Sequence, residues 1–230
     1  MQEKLPDGQL DAIRHLDTCI VADAISALRV RLRNQGYSNG SLRCMFENPV
    51  PMMGYAVTGR IRCAEPPMVG QRFVENREWF KYITNLPDPR VVVLQDVDHA
   101  PGSGAFWDEV RARIHQRLGC VGAVTNGAVR ELAKVRGTGF YLFAGSVTSS
   151  GGYAHIIDVG HPVEVGGLVI HPGDLIHGDV HGIVTVPRES LAALPGTARK
   201  ILEIREQVSG LCASADFTPE KLMTLLANLE

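Results

Sequence analysis

Apolar residues at Ile13, Leu16, Ile20, Ala24 and Leu28 recur near helical spacing and predict a first helix from about Leu10 to Arg31. A polar, glycine-rich loop follows at Asn34 to Ser41, and the alternation in Ala56–Cys63 predicts a strand. Pro66-Pro67 breaks the chain ahead of a helix through Glu75–Ile83. The β-branched run Val91–Gln95 reads as a buried strand. Beyond a Pro- and Gly-rich loop, the pattern predicts a helix from about Phe106 to Leu118, a strand at Val121–Thr125, a helix near Ala128–Arg136 and a strand at Phe140–Phe143. Strand and helix in alternation point to a sheet with helices packed on it. From Tyr153 to Pro187 the text changes to short β segments punctuated by Gly and Pro, and helices return at Ser190–Val208 and Pro219–Leu229. The expectation is one α/β domain over residues 1–230, with an added β-hairpin layer.

Composition narrows the function classes. At 230 residues the chain can bury a real core, and its 45% hydrophobic and 21% charged residues are those of a globular protein. The net charge is −2, and no Lys/Arg run is present that would track a phosphate backbone, so nucleic acid is not an expected partner. The opening MQEKLPDGQLDAIRHLD has no apolar core of a secretory signal, and no stretch reaches the length of a membrane span. Five widely spaced cysteines (Cys19, Cys44, Cys63, Cys120, Cys212) without a CxxC pair argue against a disulfide framework and a zinc site. They suit a reducing cytoplasm and read as small buried hydrophobes.

The densest chemistry lies between Ala105 and Glu131. A helix starting near Asp108 presents unpaired amides and a positive dipole end, a seat for a carboxylate. One short step later, TNGAVRE places Arg130 and Glu131 at the start of the next helix. A guanidinium grips a carboxylate bidentately, and the adjacent acid can hold a hard cation whose shell water completes. The alternative is an ordinary surface Arg and Glu on a helix.

The segments AFWDEV and LGCVGAVTNGAVRE (within Ala105–Glu131), PVEVGGLVIHPGDLIHGDVHGIVTVP (Pro162–Pro187), VADAISAL (Val21–Leu28) and GYAVTGRIRC (Gly54–Cys63) together resemble the RraA-like family. That family holds the regulators of ribonuclease E activity and the 4-hydroxy-4-methyl-2-oxoglutarate aldolases, some of which also decarboxylate oxaloacetate. The resemblance implies a β/β/α swivelling-type, phosphohistidine-domain-like fold with a central sheet and packed helices, and a homo-oligomer, trimer or hexamer. It implies a four-residue amide cradle at Asp108, Glu109, Val110 and Arg111, a substrate-binding arginine at Arg130, and a metal-binding acid at Glu131. The family's aspartate is Glu at 131, its usual glycine is Asp at 108, and its Asp-Gly is Asn126-Gly127 here. Glu131 is one methylene longer than Asp, so a bound ion moves by roughly an ångström or the backbone adjusts. Asp108 either caps the helix with its side chain turned away or occupies the donors a substrate anion needs. Glu109 is either a dipole-compensating surface acid or a general acid/base.

The implied activity is a lyase dependent on Mg²⁺ or Mn²⁺, cleaving a small 2-keto acid to pyruvate by retro-aldol reaction or β-decarboxylation. Its rival is a non-catalytic binding protein with a modified site. Other signals carry less. Gly-Ser-Gly at 102–104 lacks the third glycine of a dinucleotide loop, and Pro101 intervenes. His177 and His181 sit in a turn and strand, where a four-residue spacing does not converge on a metal. Asp174 and Asp179 are expected to shape turns.

Overall fold

The computed structural model describes residues 7–68, 70 and 73–227. It opens with α1 (Asp7–Arg14), α2 (Thr18–Ala27), β1 (Arg43–Cys44), β2 (Met52–Arg62), α3 (Asn76–Thr84) and β3 (Arg90–Asp96). Then come β4 (Ala105–Trp107), α4 (Glu109–Arg117), β5 (Cys120–Val129), α5 (Leu132–Arg136) and β6 (Tyr141–Val147). The chain continues through β7 (His155–Val159), β8 (Val163–Val165), β9 (Leu168–Ile170), β10 (Leu175–Asp179) and β11 (Gly182–Val186). It ends on α6 (Leu194–Ala213) and α7 (Pro219–Leu226); the expected end of that helix at Leu229 lies outside the described residues.

The architecture is mixed α/β. One sheet runs β1-β6-β5-β3-β2-β10-β11, with β4 added on β5 and β7 on β2, while β8 and β9 form a separate hairpin. β2, β3, β5 and β6 are mutually parallel, and β10 and β11 extend the sheet antiparallel. Alternation along β3 assigns its two faces. Val92 and Leu94 enter the core under α3 and α4, whereas Val91 and Val93 meet the β8–β9 hairpin through Val163, Val165 and Ile170. Both faces are covered, so the run from Val91 to Leu94 is apolar throughout and not alternating. A further apolar cluster packs α1, α2 and α6 against Met53 and Tyr55 of β2 and the β10–β11 pair.

Several boundaries depart from the sequence expectation. The first helix is two, because Asp17 leaves the helical backbone (φ −58°, ψ 141°) and accepts a bond from the Cys19 amide at 2.7 Å, capping α2. The helix expected from Phe106 begins only at Glu109, since Ala105, Phe106 and Trp107 are buried in a parallel strand on β5. Ala128 and Val129 belong to β5, paired with Ser146 and Val147, so the next helix is confined to Leu132–Arg136. The helix expected from Ser190 begins at Leu194 behind a 3₁₀ turn at Arg188–Ser190, with proline in its first turn. Of the cysteines, Cys63 and Cys120 are the buried hydrophobes expected, but Cys19 and Cys44 are half-buried and Cys212 is exposed.

Candidate functional site

The parallel contact of β4 with β5 brings the two candidate segments together. Trp107 aligns with Val129, and the Arg130 amide donates to the Trp107 carbonyl at 3.0 Å, so residues 108 and 130 leave the sheet side by side. A register shift in β5 between Thr125 and Ala128 steers that exit. Asn126 fixes it: its Oδ1 accepts from the Asp96 amide (2.7 Å) and its Nδ2 donates to the Asp96 carbonyl (2.9 Å). A Cβ at Gly127 would lie 3.0 Å from Asp96 Oδ2, which explains glycine after that asparagine. TNG therefore shapes the strand that delivers Arg130.

Asp108 caps α4, accepting from the Arg111 amide through Oδ1 at 3.0 Å, and its Oδ2 accepts from Arg130 Nη2 at 2.8 Å. Its side chain faces the site, not away from it. Burial alone would raise the Asp108 carboxyl, but the Arg111 amide and the Arg130 guanidinium outweigh it and hold the group below the usual carboxylate range. The hydrogen bond that Arg130 donates to Asp108, in turn, raises Arg130. Arg130 keeps one unspent donor, since its Nε is buried without a hydrogen-bond partner. The loop at Gly151 lies against the guanidinium, close enough that a Cβ there would sit 3.8 Å from Cζ.

Glu131 stands in the left-handed region (φ 55°, ψ 38°), unusual for a residue with a side chain. That backbone turns its carboxylate over the start of α4, where Oε2 accepts from the Glu109 amide at 3.3 Å and Oε1 meets Lys134 Nζ at 3.2 Å. Of the expected cradle amides, those of Glu109 and Arg111 thus serve Glu131 and Asp108. The Val110 side chain is exposed, and Glu109 Oε1 pairs with Arg113 Nε at 2.5 Å. The Arg111 side chain leaves the cradle for the Phe106 ring, with Cζ 3.9 Å from its centroid.

Behind Arg111 lies a cleft of about 530 Å³ lined by Phe73, Trp79, Phe80, Phe106, Ile114 and His155. His115 forms part of its wall, accepting from Trp79 Nε1 at 2.9 Å; burial pushes it down to about 4, so it stays neutral. The sequence reading missed this cleft and the Gly151 loop, whose residues carry no motif.

Among the described residues, the groups of three metal-ligating side chains lie elsewhere. One is Cys63, Asp96 and Asp98 at the ends of β2 and β3; the other is Asp17, Cys19 and His181. An ion on Glu131 would draw most of its shell from water and substrate, which suits Mg²⁺ or Mn²⁺ and oxygen donors. His177 and His181 do not converge: His177 is fully buried and His181 is exposed. Asp174 and Asp179 shape turns as expected, accepting from the amides of His171 and His181.

Comparison with known proteins adds a lineage to this geometry. The family model described as "RraA-like: Aldolase/RraA" matches residues 18–185. A protein of Halalkalibacterium halodurans provisionally named 4-hydroxy-4-methyl-2-oxoglutarate aldolase is 33% identical over 72 residues, 31% of this chain and 34% of that one. The matched stretches span 22%, 60% and 34% of the lengths of the curated relatives. An uncharacterized protein from Pseudomonas syringae superposes with a TM-score of 0.73 at 21% identity, covering 96% of this chain and 95% of that one. Streptomyces coelicolor RraAS2, an unusual member of the RNase ES inhibitor RraA protein family, superposes with a TM-score of 0.69 at 19% identity, covering 90% and 98%. At such identities these structures speak for the fold alone.

Proposed function

The chain belongs to the Aldolase/RraA family, and from that premise we propose that it is a divalent-metal-dependent carbon–carbon lyase of a small 2-keto acid, releasing pyruvate. The observation that carries the reading is the placement of the Arg130 guanidinium beside the start of α4, 34% exposed and 2.8 Å from the Asp108 carboxylate it binds. A guanidinium that already grips one carboxylate at this turn offers the same charge-assisted donors to the carboxylate of a substrate.

Each residue has a part in that chemistry. Arg130, with the α4 amides, holds the substrate carboxylate and stabilises charge that develops on its keto oxygen. Glu131 offers hard oxygen ligands and would hold a divalent ion at this turn, where the ion would supply Lewis acidity to the keto oxygen of the substrate. Glu109 borders the same turn, its amide on Glu131 Oε2. In the retro-aldol reaction a water held by its carboxylate takes the C4 hydroxyl proton as the C3–C4 bond breaks, and a proton is returned to C3 to give pyruvate. In β-decarboxylation carbon dioxide leaves directly and no such base is required.

The test is pyruvate release from oxaloacetate and from 4-hydroxy-4-methyl-2-oxoglutarate with Mg²⁺ or Mn²⁺. Activity should vanish with a chelator and in Arg130→Ala; turnover indifferent to both treatments removes the assignment. A second reading, a non-catalytic binding protein, is favoured by the occupation of two cradle amides and Arg130 by the chain's own acids. Silence toward every keto acid, joined to tight association with a protein partner, would select it.

A further inference from the structure

Outside the Ala105–Glu131 segment, we infer that Asp17, Cys19 and His181 form a binding site for one divalent ion of the zinc class. One ligand atom from each of the three lies within 4.8 Å of the other two. Asp17 and Cys19 stand at the start of α2, and His181 in the turn between β10 and β11, so chain remote in sequence supplies the third ligand. A carboxylate oxygen, a thiol sulfur and an imidazole nitrogen form the mixed set that zinc accepts with a water in the fourth position. In a tetrahedral shell such atoms stand about 3.5 Å apart, so closing on an ion takes roughly an ångström of side-chain rotation. Asp17 and His181 are exposed and Cys19 is half-buried, which leaves that rotation free.

The surroundings are built to hold the ligands. Asp17 spends Oδ1 on the Cys19 amide (2.7 Å) and turns Oδ2 toward His181, whose Nδ1 is 3.8 Å away. Asp179 accepts from the Thr18 amide through Oδ2 (2.8 Å) and from the His181 amide through Oδ1 (2.9 Å). The same Oδ1 lies 3.0 Å from His181 Nδ1, so with Nδ1 held by Asp179 the ring offers Nε2 to an ion. Thr18 is anchored below by His177 Nδ1 at 2.9 Å. Asp17, Asp23 and Asp179 all act on Cys19, and Arg205 offsets only Asp23. On binding, the Sγ–metal bond forms as the thiol proton leaves to solvent.

Sequence spacing hid this site, since its two parts are joined only by the docking of α2 on β10 and β11. The experiment is anaerobic titration of the full chain with Co²⁺, read by absorbance, then competition with Zn²⁺. One equivalent should bring the near-ultraviolet thiolate-to-cobalt band and visible bands of four-coordinate cobalt, both erased by Zn²⁺. Cys19→Ser should abolish the thiolate band, and His181→Ala should weaken cobalt binding by at least about tenfold. Cys63→Ser should retain the band, separating this site from the Cys63, Asp96 and Asp98 group; an ion held only by the oxygens of Glu131 gives no thiolate band at all. Far-ultraviolet circular dichroism checks that each variant is folded. No thiolate band with cobalt in large excess, or one that survives Cys19→Ser, overturns the inference.

Discussion

Replacing Asp108 with glycine tests whether the candidate cradle is held by its own acid. The Asp108 carboxylate takes the Arg111 amide at 3.0 Å and Arg130 Nη2 at 2.8 Å, donors that a substrate carboxylate also needs. Substrate must therefore displace it. The Arg130 side chain is 34% exposed, so the ion pair contributes no more than about 1 kcal/mol. Loss of the cap to glycine adds a few tenths of a kcal/mol. The sum, about 1–1.5 kcal/mol, corresponds to roughly tenfold in affinity. Asp108→Gly should lower KM for oxaloacetate by about that factor with kcat nearly unchanged, because the competing carboxylate weighs on ground state and transition state alike. Calorimetric titration with oxalate in the presence of Mg²⁺ reads the same difference without turnover and should give the same ratio. An unchanged or weaker oxalate affinity in the variant refutes the idea that Asp108 competes with ligand.

Three further outcomes follow from the same structure. Burial holds His115 and His177 down to about 4, so their contribution to stability is present above pH 6.5 and is lost as pH falls toward 4; unfolding free energy should fall across that window by up to about 1.4 kcal/mol per pH unit per histidine, melting temperature should fall with it, and His115→Gln should flatten the drop. A methyl group at Gly127 would sit 3.0 Å from Asp96 Oδ2 and 3.1 Å from its Cβ; Gly127→Ala should destabilise the fold by about 1–3 kcal/mol in denaturant titration and weaken oxalate binding, by moving the strand that delivers Arg130. Glu131→Gln keeps an acceptor for the Glu109 amide but removes the charge; the Mg²⁺ concentration for half-maximal pyruvate release should rise at least about tenfold while the melting temperature holds.

How far the sequence spoke depends on the range of the interactions involved. Val91 to Leu94 were legible as a buried strand because covering both faces of a sheet leaves no polar alternation to mislead. The break at Asp17 was not: Leu16 and Ile20 keep helical spacing across it, and only the bond from the Cys19 amide shows the chain restarting. Phe106 and Trp107 were read into a helix, because their pairing with β5 depends on residues more than twenty positions away. Ala128 and Val129 went the same way, held in β5 by β6 beyond a register shift that no local pattern encodes.

At the candidate site, the motif located Arg130, Glu131 and the turn at Asp108, and the fold sets them side by side. The direction of Asp108 was beyond the motif, since capping inward or turning away is decided by whether a guanidinium waits within reach. Once Arg130 stands there, Asp108 offsets the desolvation of both groups by facing it. Asp108 and Glu131 then act in concert. Glycine at 108 would leave the cradle open to solvent and ligand, whereas Asp108 fills one donor set while the left-handed turn at Glu131 lays a second acid on the Glu109 amide. A turn carrying three acids and one arginine is poised between anion and cation, and on the proposed lyase reading a 2-keto acid needs a positive ion to arrive with it. Metal and substrate should accordingly bind with positive coupling, each tightening the other by the same factor.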